Sequence, residues 1–412
     1  FGSQLHEEDY VDEGTPIVTV EHLGKIGFTT QNLPFVSQED TERLSKYLLK
    51  EGDIVFSRVG SIDRCVYVKK EQEGWLFSGR CLRVRCDKEK VNARYLSYYF
   101  KLVEFKKMML NISVGATMPS LNTELMDSVQ LNLLERDKQD KIANLLNCID
   151  EKIVNNDDIN IQLEAMARTI YDYWFLQFDF PDENGKPYKS SGGKMVWKEE
   201  LKCEIPDGWE SDEIGNLMES KRGISYNSAT IGAEGVPMIN LASFNTNGTY
   251  KPSGIKTYSG VYEQDKVLKP YDLLMCNTQQ TAIDFKKDII GKAILIPDIF
   301  EGDIVSSHHV TAIKTHTDEM KYYLYYLFNT EFFHKYIAGY TNGTNILGLL
   351  FEGVEKYKVT IPSKNVIKKY ANIAKNIERQ KSKIIKENQE LASLRDFLLP
   401  LLMNGQVGFK EC

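Results

Sequence analysis

Two loops of glycine and polar residues, each met twice in this chain, hold the residues best suited to meeting a ligand. The stretch Ser57-Arg58-Val-Gly60-Ser61-Ile-Asp-Arg64 follows a short apolar run. Its glycine allows close backbone approach. Arg58 and Arg64 suit phosphate, or a guanine edge held bidentately. The corresponding stretch, Asn277-Thr278-Gln279-Gln280-Thr281, replaces arginine with amides that fit adenine edges and phosphates. A second loop, Ser113-Val-Gly-Ala-Thr117 in one place and Thr341-Asn342-Gly343-Thr344-Asn345 in the other, offers N–H and hydroxyl donors to phosphate. Lys221-Arg222-Gly223 adds two cations. So does the alternating strand Leu82-Arg83-Val84-Arg85, with both arginines on one face. Alone, each loop reads as a surface turn. Recurrence at corresponding positions of a duplicated unit favours a ligand.

The chemistry of an enzyme is missing. There is no GxxxxGK[ST] phosphate loop, no Asn- or Asp-Pro-Pro-Tyr, no GxG after a strand, and no HExxH, GxSxG or Cys/His metal spacing. No catalytic or metal-binding set is therefore assigned. His308 and His309 are expected on a strand, one packed inward and one exposed. The seven cysteines form no CxxC pair and read as reduced thiols of a cytoplasmic chain. No apolar run is long enough to span a membrane.

The net charge of −7 argues against a simple wrapper of nucleic acid. It leaves room for a local basic surface, because acid can sit on distant helix faces. Residues 52–94 hold ten basic side chains against six acidic ones. On charge alone that stretch reads equally well as a solvated face.

The elements that carry these loops repeat one plan. Gly14-Thr-Pro-Ile-Val and Gly235-Val-Pro-Met-Ile lie 221 residues apart, and Asp53 and Asp272 219 apart. The aromatic helices Tyr95-Leu-Ser-Tyr-Tyr-Phe and Tyr323-Leu-Tyr-Tyr-Leu-Phe are offset by 228, as are Gly115 and Gly343. Such steady offsets mean tandem duplication of a large unit. Short strands mixed with helices make each copy α+β.

Each copy ends in a long heptad helix. The first seam runs through Ile142, Leu146, Ile149, Ile153, Asn156, Asn160, Leu163, Ala167 and Ile170 to Trp174. The second runs through Tyr370, Ile373, Ile377, Gln380, Ile384, Glu387, Leu391, Leu394 and Leu398 to Leu401. Steps of three and four place each set on one face. The first helix, over residues 136–175, would be on the order of 55–60 Å long. Polar residues in mid-seam cost stability but fix register. Their central place in both helices predicts antiparallel pairing about a pseudo-two-fold axis. Pro400 should end the second helix at its last turn.

The expected organisation is a first domain at 1–134, lacking its opening segment, and a long helix at 135–177. A Pro/Gly-rich connector follows at 178–204, then a second domain at 205–362, and the last helix with its tail at 363–412.

Several segments together resemble the specificity subunits of type I restriction–modification enzymes. They are Gly52-Asp-Ile-Val-Phe-Ser-Arg-Val-Gly-Ser-Ile, Leu163-Glu-Ala-Met-Ala-Arg-Thr-Ile-Tyr-Asp-Tyr-Trp-Phe, Phe178-Asp-Phe-Pro-Asp-Glu-Asn-Gly-Lys-Pro-Tyr, and Leu394-Arg-Asp-Phe-Leu-Leu-Pro-Leu-Leu-Met-Asn-Gly-Gln-Val. The resemblance implies two target-recognition domains separated by two long antiparallel coiled-coil helices. Each domain would read one half of a split duplex DNA sequence. It implies partners too: two methyltransferase subunits and restriction motor-nuclease subunits. These would hold the S-adenosylmethionine, ATP and Mg that this chain does not. The departure from the family's loop pattern at residues 277–281 leaves the second half-site open. Two rival readings are a coiled-coil protein-interaction scaffold, and a methyltransferase or nuclease with an unrecognised active site.

Overall fold

The computed structural model describes residues 2–3, 5–115, 119–232, 234–279 and 287–409. The chain forms two compact units, residues 1–154 with 390–412, and residues 155–389. Each unit thus contains part of both long helices, rather than leaving the helices as separate bodies.

In the first unit, strand Thr15–Val18 pairs antiparallel with Phe35–Val36 and parallel with Leu76–Phe77. A second sheet centres on Asp53–Ser57, flanked antiparallel by Cys65–Tyr67 and Cys81–Arg85. The second unit repeats this. Val236–Ile239 pairs antiparallel with Lys256–Tyr258 and parallel with Val305–Ser306. Leu273–Cys276 lies between Ala293–Leu295 and Val310–Thr315, again antiparallel. This copy adds an edge strand, Met218–Arg222. The expected duplication is therefore a duplication of strand pairing.

The turn into each central strand is also the same. The amide of Lys50 donates to Asp53 Oδ2 at 2.8 Å, and that of Lys269 to Asp272 Oδ2 at 2.8 Å. Gly52 (φ +91°) and Tyr271 (φ +67°) occupy equivalent left-handed positions. A non-glycine residue there costs roughly 1–2 kcal/mol, so the second copy keeps the geometry at greater strain.

The aromatic helices are Ala93–Tyr99 and Asp318–Phe328. Their tyrosines and phenylalanines are mostly interior. In the first unit Phe56, Tyr95, Phe100 and Phe105 share a core with Ile142 and Leu146. In the second, Tyr323 and Tyr326 pack among Tyr171, Phe175 and Tyr370.

The long helices span Arg136–Tyr171 and Lys364–Met403. The first continues into a wider turn, Asp172–Leu176. In the first unit, Ile142 and Leu146 meet Leu399, Leu402 and Met403. Farther along, Arg395 Nη1 donates to Asp150 Oδ1 at 2.8 Å. In the second unit, Asn156 Nδ2 donates to Glu387 Oε2 at 2.8 Å, Lys381 Nζ to Glu164 Oε2 at 2.7 Å, and Tyr171 packs on Tyr370. In each unit, rising numbers on one helix meet falling numbers on the other, so the segments run antiparallel.

Two expectations need correction. The second seam is displaced: Gln380 is exposed and Leu394 is 46% exposed, while Glu378, Lys381 and Ser382 are buried. Those charged residues look like surface in the sequence, yet they neutralise one another inside. Next, Pro400 does not end its helix, which runs on to Met403, with Asn404 N bonded to the Pro400 carbonyl at 3.0 Å. Pro400 has no N–H to give the Asp396 carbonyl, so the helix goes on for three residues with one intrahelical bond missing. The connector at 178–204 has structure of its own. Phe180 stacks on Trp209, and Met195–Lys198 forms a hairpin with Cys203–Pro206.

Candidate nucleic-acid interface

The two sequence-predicted loops of each copy lie side by side. In the first unit the Leu121 amide donates to the Arg58 carbonyl at 2.9 Å, and the Gly60 amide to the Pro119 carbonyl at 3.0 Å. Bridges also join Ser120 to Val59 and Val114. In the second unit the Leu349 amide donates to the Asn277 carbonyl at 2.8 Å. Here Thr278–Gln279, Leu347–Leu349 and Thr341–Asn342 form a small antiparallel sheet. Gly343 (φ +112°) makes its hairpin possible, for a Cβ there would lie 2.0 Å from the Ile346 carbonyl oxygen.

A third segment joins each pair, and the residue pattern alone did not single it out. The Arg58 amide donates to the Arg80 carbonyl at 2.8 Å, and the Asn277 amide to the His309 carbonyl at 2.9 Å. Around these, Ser78 N bonds Val18 O and Ser307 N bonds Ile239 O, both at 2.9 Å. Gly79-Arg80 and His308-His309 thus hold the same place in the two copies. A signal was present in the spacing, since Ser78 and Ser307 both precede the last strand of their sheet. The histidines stand in a turn, not on a strand, and their rings lie 3.8 Å apart instead of facing opposite ways. His308 also lies 5.7 Å from the Tyr226 ring, and His309 Nδ1 is 2.9 Å from Thr278 Oγ1. Burial, then the neighbouring His308, Arg222 and Lys256, hold the His309 pKa below its usual 6.5.

The candidate side chains divide between scaffold and outer surface. Ser57 is buried, its hydroxyl bonded to the Ser61 and Arg64 carbonyls. Arg58 donates from Nε to Leu121 O and from Nη1 to Gly79 O, both at 3.1 Å, so its guanidinium ties the three segments together. Arg85 grips the buried carboxylate of Asp53 through two bonds of 2.6 Å. Arg83 donates to the Leu48 carbonyl at 3.0 Å and lies over Phe77. Gln279 is buried, donating to Asp288 Oδ1 at 2.5 Å and accepting from the Ile289 and Ile290 amides. The hydroxyls of Ser113 and Thr341 donate to the Leu110 and Ala338 carbonyls. Lys221 is ion-paired with Asp265.

Arg64, Ser61, Arg80, Arg222, Asn342, Thr344 and Asn345 are exposed, and Thr278 half so. Thr117 and Gln280 lie outside the described residues. Within the helix-pair seam, Asn156 is buried and Asn160 half-buried.

Each unit therefore presents three backbone-bonded segments, with the cations Arg64 and Arg80 at the tips of the first and the neutral donors Asn342, Thr344 and Asn345 at those of the second. That arrangement suits recognition of a polyanion with readable edges. Among the described residues, no group of three His, Cys, Asp or Glu could hold a metal, and no helix is long and apolar enough to cross a membrane.

Comparison with known proteins decides the family. The family model for the type I restriction modification DNA specificity domain matches residues 4–165 and again 206–393. The chain belongs to that family. It is similar to the MjaIX specificity subunit of Methanocaldococcus jannaschii, at 24% identity over 79% of this chain and 71% of that one. It is similar also to the HindI specificity subunit of Haemophilus influenzae, at 23% identity over 90% of this chain and 89% of that one. Among solved structures, the type I restriction–modification S subunit from M. genitalium shares its fold. The TM-score is 0.56 at 16% identity, covering 98% of this chain and 92% of that one. The chain is thus a specificity subunit, built from two copies of a DNA-recognition domain and carrying none of the catalysis.

Proposed function

We propose that this specificity subunit reads a bipartite duplex sequence, one half-site per unit, and docks methyltransferase and restriction subunits that carry out the chemistry. One observation carries the reading: the two units hold the same three segments by the same backbone bonds, yet differ in the side chains at the tips. Arg64 and Arg80 stand in one, and His308, His309, Asn342, Thr344 and Asn345 in the other. Identical scaffolds with different donors fit two readers of different sequences, because base edges are told apart by donor and acceptor pattern.

Phosphate contact and base contact divide between these groups. Arg64, Arg80 and Arg222 suit phosphates or guanine, and Asn342 and Asn345 suit adenine. The chain's acidic balance implies that partner subunits supply much of the phosphate contact. S-adenosylmethionine, ATP and Mg would be held by those partners. The long helices would fix the number of unread base pairs between half-sites.

The test is selection from a random duplex pool by the chain assembled with a methyltransferase subunit. Two short specified blocks with a constant gap are expected. A single continuous block, or no enrichment, would refute the reading. Inserting one helical turn into a single long helix should change the gap or abolish binding.

A further inference from the structure

The long helices meet through polar contacts whose arrangement goes beyond holding register. In the first unit, Asp150 of the first helix pairs with Arg395 of the second at 2.8 Å, their side chains 6% and 12% exposed. In the second unit, Glu164 of the first helix pairs with Lys381 of the second at 2.7 Å, their side chains 8% and 11% exposed. Between these in sequence, Asn156 donates to Glu387 and Asn388 donates to Asp157, both at 2.8 Å.

The duplication gives these pairs their meaning. Ile142 and Ile373 occupy one repeat position, 231 residues apart, and so do Asp150 and Lys381, and Glu164 and Arg395. The contacts Asn156–Glu387 and Asp157–Asn388 are themselves 231 apart. These residues therefore pair with their own repeat equivalents. If two first helices paired in this geometry, Asp150 would face Glu164 and Asp157 would face its own copy. Two second helices would bring Lys381 against Arg395, and Glu387 against its copy. The native pairing alone sets acid against base at both outer positions and amide against acid at the centre.

We infer that these contacts form a charge code that makes the first long helix accept the second and refuse another first. The partner specified is the complementary helix, whether from the same chain or from a second copy. Apolar seam residues do not discriminate in this way, because Ile142 and Ile373 are the same residue in both helices. Polar contacts, which cost free energy to bury, carry the choice. The cost of a wrong pairing rises because the outer positions are nearly dry.

The test uses the whole chain with a protease site inserted in the exposed turn at residues 183–186, cut after folding. Samples of two isotopic masses are mixed, and native mass spectrometry counts like and unlike pairs of pieces. The wild type should give unlike pairs. Reversing one outer pair, Glu164→Lys with Lys381→Glu, keeps acid against base between the helices but makes each helix complementary to itself; Arg168→Glu and Glu378→Lys accompany it, because those residues pair with Glu164 and Lys381 along their own helices. Like pairs should rise at least tenfold. Reversing both, with Asp150→Lys and Arg395→Glu added, should return them to the wild-type level. Should a reversed chain fail to fold, Asp157→Asn with Glu387→Gln removes the central acids conservatively, and like pairs should again rise. Like pairs at statistical abundance in the wild type, or no rise in either the single reversal or the amide variant, would overturn the inference.

Discussion

The amide of Leu349 donates to the carbonyl of Asn277 at 2.8 Å, and in doing so fixes a hairpin tip beside the start of a strand-end loop. Leu121 and Arg58 make the same bond in the first unit at 2.9 Å. Main-chain bonds hold the recognition segments together in both units, reinforced in the first by the Arg58 guanidinium, while the side chains at the tips stay exposed.

At the hairpin tip, Asn342, Thr344 and Asn345 are exposed. Replacing all three with alanine should shift unfolding by no more than about 0.5 kcal/mol per site. Binding of the assembled complex to its selected DNA should weaken by about 1–3 kcal/mol for each base edge that these side chains read. Gel-shift titration at fixed salt, alongside thermal melting, checks both halves of the expectation.

Arg85 should behave oppositely. Its guanidinium holds Asp53, whose carboxylate is 1% exposed and caps the Lys50 turn. Arg85→Ala should lower stability by about 1–3 kcal/mol by leaving part of that charge without its partner. DNA affinity of the folded complex should stay unchanged; a selective loss of affinity at unchanged stability would make Arg85 a DNA contact instead.

Lys381 stands between two buried carboxylates, Glu164 and Glu378. Burial alone would lower its pKa, but Glu378 and then Glu164 outweigh this and hold it charged well above the usual lysine range. Lys381→Met leaves Glu378 with the Tyr326 hydroxyl but no cation, while Glu164 keeps Arg168, and should cost about 3–5 kcal/mol in urea unfolding. A loss under about 1 kcal/mol would show that the acids simply take up protons.

His309 gives a pH dependence with a definite sign. Its folded pKa lies below 6.5, so the unfolded chain takes up this proton first as pH falls. The stability it contributes is present above about pH 6.5 and is lost as pH drops through the lower folded value. The melting temperature should therefore fall more steeply with acid in the wild type than in His309→Gln between about pH 7 and 5. Parallel curves would contradict this.

Much of this was legible in residue order. Similar offsets of 221, 219 and 228 residues between Gly14 and Gly235, Asp53 and Asp272, and Gly115 and Gly343 announced the duplication, and the strand pairing repeats accordingly. The first seam was readable because most of its apolar positions, Ile142, Leu146, Ile149, Ile153, Ala167 and Trp174, are buried. The second is displaced from its apolar pattern because Glu378 and Lys381 carry charge, and charge reads as exposure until a partner is seen. Arg58, Arg85 and Gln279 look like outward donors in the sequence for the same reason, since composition cannot reveal which carbonyl or carboxylate a long side chain will find. His308-His309 breaks the alternation of a strand because it sits in a turn.

The separation between bonded backbone and exposed tips has an evolutionary consequence. Substitutions at Asn342, Thr344 or Asn345 change what is offered to the outside without disturbing the strands that support them. A lineage can thus sample new addresses at these positions while its folding remains untouched, and drift in target preference need not wait for compensating changes in the interior.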